Sequence, residues 1–306
     1  MSKKYVGIIP PISTPIDEHE NIDEQALRKL VDYTIDTGMH GIFVCGSNGE
    51  TMGLTQQERD KAIKIAIEQA GDRVPVLAGV MDTSTKRVIE NCKRLEDMGG
   101  KAAVVTPIFY SRSTNPSETI QHFEEISKNT NLDLLVYNIP SYTYNTLKAE
   151  TIFELAKIDR VVGYKDSSNS MVDTIKCLNH FKGTDFCILQ GMVQLSGISI
   201  LLGADGMVPS IATAFPSVCL NVYNAAKEKN IEKMLYWNEI MNECMKVCSM
   251  SSNGTSSTKC ALSTTGLFSE RMTRPLEPVT PEEKEKIFRK VAELNELIRE
   301  AEAKEA

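Results

Sequence analysis

Lys165 is the residue of this sequence best placed for covalent chemistry. It ends the apolar run Val161-Val-Gly-Tyr-Lys165, and the chain turns polar at Asp166. A lysine at the end of a buried strand is partly removed from water, which lowers its pKa and leaves a fraction of neutral amine. A neutral amine can attack a ketone and form a Schiff base. A surface lysine paired with Asp166 is the alternative interpretation.

A tyrosine ends the preceding apolar run, in Leu134-Leu-Val-Tyr137. Neighbouring parallel strands bring their last residues together, so the Tyr137 hydroxyl could carry a proton to or from a substrate bound on Lys165. A core tyrosine with a satisfied hydroxyl explains the same run equally well.

A glycine-rich segment, Gly46-Ser-Asn-Gly-Glu-Thr51, directly follows another apolar run. Its two glycines allow a tight turn that exposes backbone N–H groups. Together with the Ser47 hydroxyl, such a nest can hold a carboxylate. The alternative is a segment that only turns the chain.

Other chemistries lack their sequence signatures. The chain contains neither a G-x-x-x-x-G-K-[ST] phosphate loop nor a G-x-S-x-G nucleophile elbow. The histidines lack the spacing of a metal site and stand at positions 19, 40, 122 and 180. A lysine-based mechanism without metal or organic cofactor is therefore favoured over a metal-based one.

The elements that must position these residues alternate along the chain. Short apolar runs predict eight strands, at residues 5–10, 41–45, 74–80, 102–106, 132–137, 161–165, 186–190 and 206–208. Amphipathic stretches between them predict helices, such as 23–37 and 55–70, which start at the N-cap candidates Asp23 and Thr55. Thr55-Gln-Gln-Glu58 also fits a capping box.

Eight such units predict an α/β fold, a (β/α)₈ TIM barrel. A doubly wound sheet would need a glycine fingerprint after the first strand, and Ile9-Pro-Pro-Ile-Ser-Thr-Pro15 is not one. Catalytic groups of a barrel lie at the carboxyl ends of its strands, where the three candidate segments fall.

A C-terminal helical extension is predicted after the last strand. Helices are expected near residues 215–229, 231–250 and 281–303, with an apolar stripe on the last one at Ile287, Val291, Leu294 and Ile298. We expect residues 1–214 to form the barrel and residues 215–306 to pack on it as part of one structural unit. Asn253-Gly-Thr255 is interpreted as a loop.

Composition limits the partners. Among the 306 residues, hydrophobic types make up 42% and the net charge is −7, so nucleic acid is not expected as a partner. No apolar run approaches the length of a membrane span, and no secretory signal is recognisable. Eight cysteines without a C-x-x-C pair are typical of reduced core cysteines, so a cytoplasmic location is expected.

The chain resembles the dihydrodipicolinate synthase / N-acetylneuraminate lyase family of (β/α)₈ Schiff-base enzymes over essentially its whole length. The resemblance rests on Gly46-Ser-Asn-Gly-Glu50, Tyr137-Asn-Ile-Pro140 and Gly163-Tyr-Lys-Asp166. The opening Gly7-Ile-Ile-Pro-Pro-Ile-Ser-Thr14 and the segment Gly203-Ala-Asp-Gly206 are also similar to family segments.

The resemblance implies residue roles. Lys165 would form the imine with pyruvate or another 2-oxo acid, and Tyr137 would relay protons. Ser47 and Asn48 would hold the carboxylate of the 2-oxo acid. Tyr110, in Thr106-Pro-Ile-Phe-Tyr110, would reach the site of a neighbouring subunit in a homotetramer built as a dimer of dimers.

Further substrate-binding positions follow from the same resemblance, at Gly46, Ser167 and Val208. Dihydrodipicolinate synthases usually carry an arginine soon after the tyrosine motif, and here Tyr142 stands at that position. Sialic acid lyases carry an acidic pair where this chain has Gly191-Met-Val-Gln194. The opening segment and Lys165-Asp-Ser167 resemble the 2-keto-3-deoxy sugar-acid aldolases most closely.

The sequence therefore predicts a pyruvate-type class I aldolase, a carbon–carbon lyase acting on a 2-keto-3-deoxy sugar acid or a related 4-hydroxy-2-oxo acid. Dihydrodipicolinate synthase, which condenses pyruvate with aspartate semialdehyde, is the first alternative. A Schiff-base dehydratase and an aldolase for a less polar aldehyde also remain open. A non-catalytic binding or regulatory protein with this fold is the alternative from a different class.

Overall fold

A computed structural model describes residues 3–111 and 115–305 of the chain. Parallel strands alternate with helices along most of it. The strands are β1 Gly7–Ile8, β2 Ile42–Val44, β3 Val76–Gly79, β4 Ala102–Val105, β5 Asp133–Asn138, β6 Val161–Asp166, β7 Cys187–Gln190 and β8 Gly206–Met207. Each lies within, or overlaps, one of the eight predicted apolar runs.

The strands form a single eight-stranded sheet in the order β1-β8-β7-β6-β5-β4-β3-β2. All pairs in it are parallel. A parallel bridge between Pro11 and Phe43 joins the two ends of this order. Phe43 N donates to Pro10 O at 2.9 Å, and Ile12 N donates to Phe43 O at 3.0 Å. The predicted (β/α)₈ barrel is confirmed.

The helices follow the strands and continue beyond β8. They are α1 Glu24–Asp36, α2 Gln56–Ala70, α3 Thr85–Asp97, α4 Pro116–Lys128, α5 Pro140–Thr143, α6 Ala149–Leu155, α7 Met171–His180, α8 Ser196–Leu201, α9 Pro216–Lys227, α10 Ile231–Met245, α11 Gly254–Ser263 and α12 Pro281–Glu305. None of those in the described part of the chain is long and apolar enough to cross a membrane.

The first two helices begin at the predicted caps. The Asp23 side chain accepts a hydrogen bond from Ala26 N, and the Thr55 hydroxyl accepts one from Glu58 N. The capping box at α2 is only half formed, because the Glu58 carboxylate accepts a hydrogen bond from Ile22 N at 2.6 Å. Glu58 therefore ties α2 to the loop before α1.

Alternation along the strands separates two apolar layers. On β5, Leu134 and Val136 pack in the large layer between the sheet and the helices, whereas Leu135 and Tyr137 belong to a smaller cluster inside the barrel. On β6, Tyr164 points to the outer layer, so the next residue, Lys165, points inward. The period of two thus directs both candidate catalytic side chains into the barrel.

The predicted C-terminal extension, residues 215–306, contains α9, α10, α11 and α12. The predicted apolar stripe of α12 is buried along its whole length, at Ile287, Val291, Leu294 and Ile298. The interpretation of residues 253–255 as a loop is wrong, because Asn253 caps α11. Its side chain accepts hydrogen bonds from Thr255 N and Ser256 N. The division of the chain at residue 214 stays a prediction.

Candidate active site

Lys165 and Tyr137 lie side by side near the carboxyl ends of adjacent strands. They are register partners in the pairing of β5 with β6. Each strand runs one residue further than its predicted end, to Asn138 and Asp166. The two side chains enter the barrel at the end where the following loops gather.

The Lys165 amino group lies against two aromatic rings. Its Nζ is 3.7 Å from the centre of the Tyr137 ring and 4.7 Å from the centre of the Phe43 ring. Lys165 is only 5% exposed. Burial lowers its pKa to about 7, because the charged form loses its hydration. At pH 7 about half of such amines are neutral and nucleophilic.

Asp166 does not pair with this lysine. One carboxylate oxygen of Asp166 accepts from Ser168 N at 2.9 Å, and the other accepts from the Thr174 hydroxyl at 2.7 Å. Asp166 therefore anchors the loop after β6 to α7, and Lys165 is not a surface lysine held by its neighbour.

The Tyr137 hydroxyl is the centre of a small hydrogen-bonded group. Burial raises the pKa of Tyr137 to about 12, while hydrogen bonds to Ser47 and Ser167 partly lower it. The three hydroxyls come from the loops after β2 and β6 and from β5 itself. A connected set of hydroxyls beside a buried amine can pass a proton over a short distance.

The glycine-rich loop, residues 46–51, packs directly over this group. A side chain at Gly46 would place its Cβ 2.7 Å from the Phe43 ring, so glycine is required for this approach. The loop folds back on itself, with Gly49 N and Thr51 N donating to Gly46 O and Glu50 N donating to Ser47 O. Those three N–H groups are used within the turn.

The side chains of Ser47 and Asn48 differ in their contacts. The Ser47 hydroxyl is hydrogen-bonded to Tyr137, as described above. The Asn48 side-chain amide donates to Ser210 O at 3.5 Å, which joins the loop to the chain after β8. A role for Ser47 and Asn48 in holding a carboxylate stays a prediction.

Gly191, directly after β7, makes room for the Lys165 and Ser167 side chains. A Cβ at Gly191 would lie 2.1 Å from Ser167 Oγ and 3.2 Å from Lys165 Cε. Ser167 N also donates to Asn138 O at 2.8 Å, which holds the loop after β6 against β5. The small residue at position 191 thus sets the space around the reactive amine.

A cleft of about 400 Å³ opens beside these groups. Ser47 and Tyr137 line it, and so does Tyr142. Its apolar lining residues are Met52, Met81, Phe109, Ile139, Pro275 and Leu276. Met192 and Val193 lie outside this lining. The cleft is large enough for a small organic substrate and predominantly apolar.

Of the predicted site residues, Ser47 and Tyr137 line this cleft, whereas Lys165, Gly46, Asn48, Ser167, Val208 and Tyr110 are not among its lining residues. Val208 is buried in the interior cluster that contains Tyr137, and its N–H donates to Gln190 O at 2.8 Å. Tyr110 is 93% exposed and has a positive φ of 73°. Its neighbour Phe109 lines the cleft instead. A role for Tyr110 in a neighbouring subunit stays a prediction.

The structure also reveals polar residues to which the sequence analysis gave no role. Thr51 and Thr106 line the cleft, and their buried hydroxyls have no hydrogen-bond partner within residues 3–111 and 115–305. Glu50 forms a buried ion pair with Lys259 of α11. Glu50 stands in the glycine-rich motif, but no local pattern marks Lys259, because its partner is 209 positions away.

No group of three or more histidine, cysteine, aspartate or glutamate side chains in the described residues is arranged to hold a metal ion.

Comparison with known proteins places these features in a wider context. The Dihydrodipicolinate synthetase family model matches residues 4–294. A 4-hydroxy-tetrahydrodipicolinate synthase of Syntrophus aciditrophicus is 31% identical over 93% of this chain and 97% of its own length.

Solved structures agree with this match. The dihydrodipicolinate synthase of Bacteroides thetaiotaomicron has a TM-score of 0.90 and 30% identity, covering 96% of this chain and 100% of its own. The prophage protein YagE of E. coli K12, solved in complex with pyruvate, has a TM-score of 0.88 and 25% identity, covering 95% and 99%.

Proposed function

Because the chain belongs to the dihydrodipicolinate synthetase family, whose members are carbon–carbon lyases of the class I aldolase type, we propose that Lys165 forms a Schiff base with a 2-oxo acid. The single observation that carries this proposal is the buried Lys165 amine, in register with Tyr137 and with a pKa lowered to about 7. The substrate is a 4-hydroxy-2-oxo acid, and the reaction breaks or forms its C3–C4 bond.

The first step is addition of the neutral Lys165 amine to the keto carbon of the substrate. The carbinolamine then loses water to give the imine, and Tyr137 with its bonded serines carries the protons. Ser47 and Asn48 hold the substrate carboxylate beside the loop backbone. These contacts orient the keto carbon toward Lys165.

Carbon–carbon cleavage follows from the imine. Tyr137 removes the proton of the C4 hydroxyl, the C3–C4 bond breaks, and its electron pair moves into the enamine on Lys165. An aldehyde leaves, the enamine is protonated at C3, and water releases pyruvate. Condensation is the reverse sequence and uses the same groups.

The test of the chemistry is reductive trapping of pyruvate with borohydride. Borohydride reduces the imine to a stable secondary amine, which adds a fixed mass to the protein. We expect the adduct on Lys165 by peptide mass spectrometry and no adduct on the Lys165→Ala variant. Lys101→Ala, which removes an exposed lysine before β4, is the matched control and retains trapping. Trapping by a folded Lys165→Ala variant contradicts the proposal.

The substrate we favour is a 2-keto-3-deoxy sugar acid or a related 4-hydroxy-2-oxo acid. The resemblance of the opening segment and of Lys165-Asp-Ser167 to the sugar-acid aldolases supports it. The first assay is pyruvate release from 2-keto-3-deoxygluconate, coupled to lactate dehydrogenase. Fast, saturable release of pyruvate supports a hydroxylated substrate. If the protein traps pyruvate but releases none from 2-keto-3-deoxygluconate, that compound is excluded as the substrate and the Schiff-base chemistry is not.

Dihydrodipicolinate synthase is the second candidate, favoured by the names of the relatives that match nearly the whole chain. Tyr142, which lines the cleft, argues against it, since a tyrosine cannot form a bidentate ion pair with a carboxylate. Condensation of pyruvate with aspartate semialdehyde distinguishes the two candidates. Because the lining of the cleft is largely apolar, condensation with less polar aldehydes is assayed as well. Dehydration through the Schiff base is a further assay.

We propose that the protein works in the cytoplasm as a homo-oligomer, a dimer of dimers. All eight cysteines are free, and seven of them are buried. Exposed apolar side chains on α7, on α8 and directly after α8 offer surface for contact with another copy, namely Val172, Ile175, Ile198 and Leu202. Sedimentation equilibrium tests this directly, and a monomeric mass contradicts it.

A further inference from the structure

A buried ion pair beside the active site is not used by the chemistry described above. Lys259 Nζ lies 2.6 Å from Glu50 Oε1, and both side chains are 1% exposed. Lys259 belongs to α11 of the C-terminal extension, whereas Glu50 belongs to the glycine-rich loop that follows β2. The pair therefore joins two parts of the chain that are distant in sequence.

Both side chains of this pair have further partners. The second carboxylate oxygen of Glu50 accepts from Thr273 N at 2.7 Å and from the Thr273 hydroxyl at 2.9 Å. Lys259 Nζ also donates to Thr14 O at 2.9 Å, and the Thr14 hydroxyl donates to Gly49 O at 2.7 Å. The segments that carry Thr14, Lys259 and Thr273 therefore converge on one loop.

These contacts lie where the loop has an unfavourable backbone conformation. Glu50 has a positive φ of 53°, a conformation that a non-glycine residue adopts at a cost. At Gly53, a Cβ would lie 2.0 Å from the Thr273 hydroxyl, so the loop and the Thr273 segment approach closely. Ser47 is three residues before Glu50 within the same turn, whose N–H groups bond back to Gly46 and Ser47.

Stability alone does not account for such a pair. Removing two charges from water is costly, and well-packed apolar residues of similar volume often replace a buried ion pair without loss of stability. A fully partnered pair does, however, hold its segments in one geometry, because the charges and hydrogen bonds are directional. The geometry at stake here is that of the loop that carries Ser47 and Asn48.

We propose that Lys259 is a positioning residue: by holding Glu50, it keeps Ser47 and Asn48 where they bind the carboxylate of the 2-oxo acid above Lys165. This role rests on the proposed function, since it needs the loop to bind a carboxylate. It gives the C-terminal extension a direct part in substrate binding.

The test uses pyruvate as the probe and measures the rate of borohydride trapping as a function of pyruvate concentration. Lys259→Met keeps the chain length and removes the charge. We expect the half-saturating pyruvate concentration to rise about 10-fold to 100-fold, as for a displacement of binding groups by about 1 Å, while the trapping rate at saturation stays near that of the parent. The melting temperature is measured on the same samples.

Lys259→Met leaves Glu50 buried without its counter-charge, which destabilises the fold. The double variant Glu50→Gln/Lys259→Met removes both charges and keeps an acceptor for Thr273. We expect its melting temperature to return toward that of the parent while the half-saturating concentration remains raised. Ile287→Ala, a cavity in α12 away from the loop, is the control that lowers the melting temperature without changing pyruvate binding.

Two results overturn the proposal. The first is a half-saturating pyruvate concentration in the double variant that equals that of the parent. The second is a rise of this concentration in Lys259→Met that Ile287→Ala shows as well, when the two variants have the same melting temperature. Failure of the parent protein to trap pyruvate at all is a different result, which removes the Schiff-base function together with this role.

Discussion

The chemistry at the residue scale depends on where one amine is placed. Lys165 lies between the Tyr137 and Phe43 rings, inside the barrel and beside the cleft. Its neutral form is favoured because water is excluded, not because a neighbouring positive charge repels it, since burial is the cause of its lowered pKa. The hydroxyl that we propose as the proton carrier belongs to the same tyrosine whose ring covers the amine.

Tyr137→Phe separates these two roles of the tyrosine. The ring that covers Lys165 remains, so trapping of pyruvate by borohydride persists, while turnover falls about 10²-fold to 10⁴-fold because the proton carrier is lost. The measurement is kcat with the substrate identified by the pyruvate-release or condensation assay. Tyr5→Phe is the matched control, because the Tyr5 hydroxyl bonds Asp133 at the opposite end of the barrel. Equal turnover by the Tyr137→Phe variant and the parent contradicts the role.

The burial of Lys165 also predicts a pH-dependent cost in stability. Its pKa is about 7 in the folded protein and 10.5 in the reference state, so unfolded chains bind more protons between these values. The penalty for a buried charge is therefore complete below pH 7 and disappears as the pH rises toward 10.5.

Lys165→Met removes this penalty. We expect it to raise the free energy of unfolding by about 1–2 kcal/mol at pH 6, and we expect the gain to shrink at pH 9.5. Urea denaturation at the two pH values measures the difference. Lys101→Met, at an exposed site, is the control and shows no pH-dependent gain in the free energy of unfolding. A gain that grows with pH is inconsistent with burial of a neutral amine.

At the scale of elements, the site is built by strands in register and by the loops that follow them. The pairing of β5 with β6 sets Tyr137 against Lys165, and the turn after β7 leaves space through Gly191. The loop after β2 covers both. If β5 or β6 shifted its register by one residue, the side chain of Tyr137 or Lys165 would point to the outer apolar layer instead of into the barrel.

Gly191→Ala is expected to disturb the site without touching its reacting atoms. The new Cβ would lie 2.1 Å from Ser167 Oγ and 2.9 Å from Asp166 O, so the Ser167 hydroxyl must leave its place beside Tyr137. We expect kcat to fall about 10-fold to 100-fold. The cost of the substitution is smaller in a Ser167→Ala background, where the contact with Oγ is gone. Additive effects of the two substitutions contradict this explanation.

At the scale of the whole molecule, the exposed Tyr110 is not among the residues that line the cleft of its own chain. Tyr110 is exposed, so any catalytic contact it makes belongs to an assembly of several chains. Lys165 and Tyr137, in contrast, lie on adjacent strands of one barrel, so their proposed roles belong to the same chain.

Mixing inactive variants tests this arrangement. Lys165→Ala and Tyr110→Phe, refolded together in equal amounts, are expected to regain about a quarter of parental activity, because half of the dimers contain one chain of each kind and one complete site. The pair Lys165→Ala and Tyr137→Phe is the control and regains none, since no mixed dimer has a complete barrel site. No recovery in the first mixture removes the role of Tyr110 across the interface.

The sequence by itself determined the barrel and pointed to the two central residues of its candidate site. Alternating apolar runs and amphipathic stretches are local patterns, and eight of each predict the (β/α)₈ fold. Lys165 and Tyr137 were recognisable because each stands where an apolar run becomes polar. The direction in which these side chains point was decided by the structure, because a strand that is apolar on both faces does not show which of its residues face the inside of the barrel.

Only the tertiary structure decided which distant residues meet around that site. Lys259 and Glu50 are 209 positions apart. The sequence does not predict α11, because a short helix with serines and threonines lacks an apolar period, and residues 253–255 at its start are interpreted from the sequence as a loop. The exposure of Tyr110 and the apolar lining of the cleft likewise depend on how separate segments pack. Such contacts reflect the docking of whole elements, whose energy is distributed over many residues and leaves no local pattern to read.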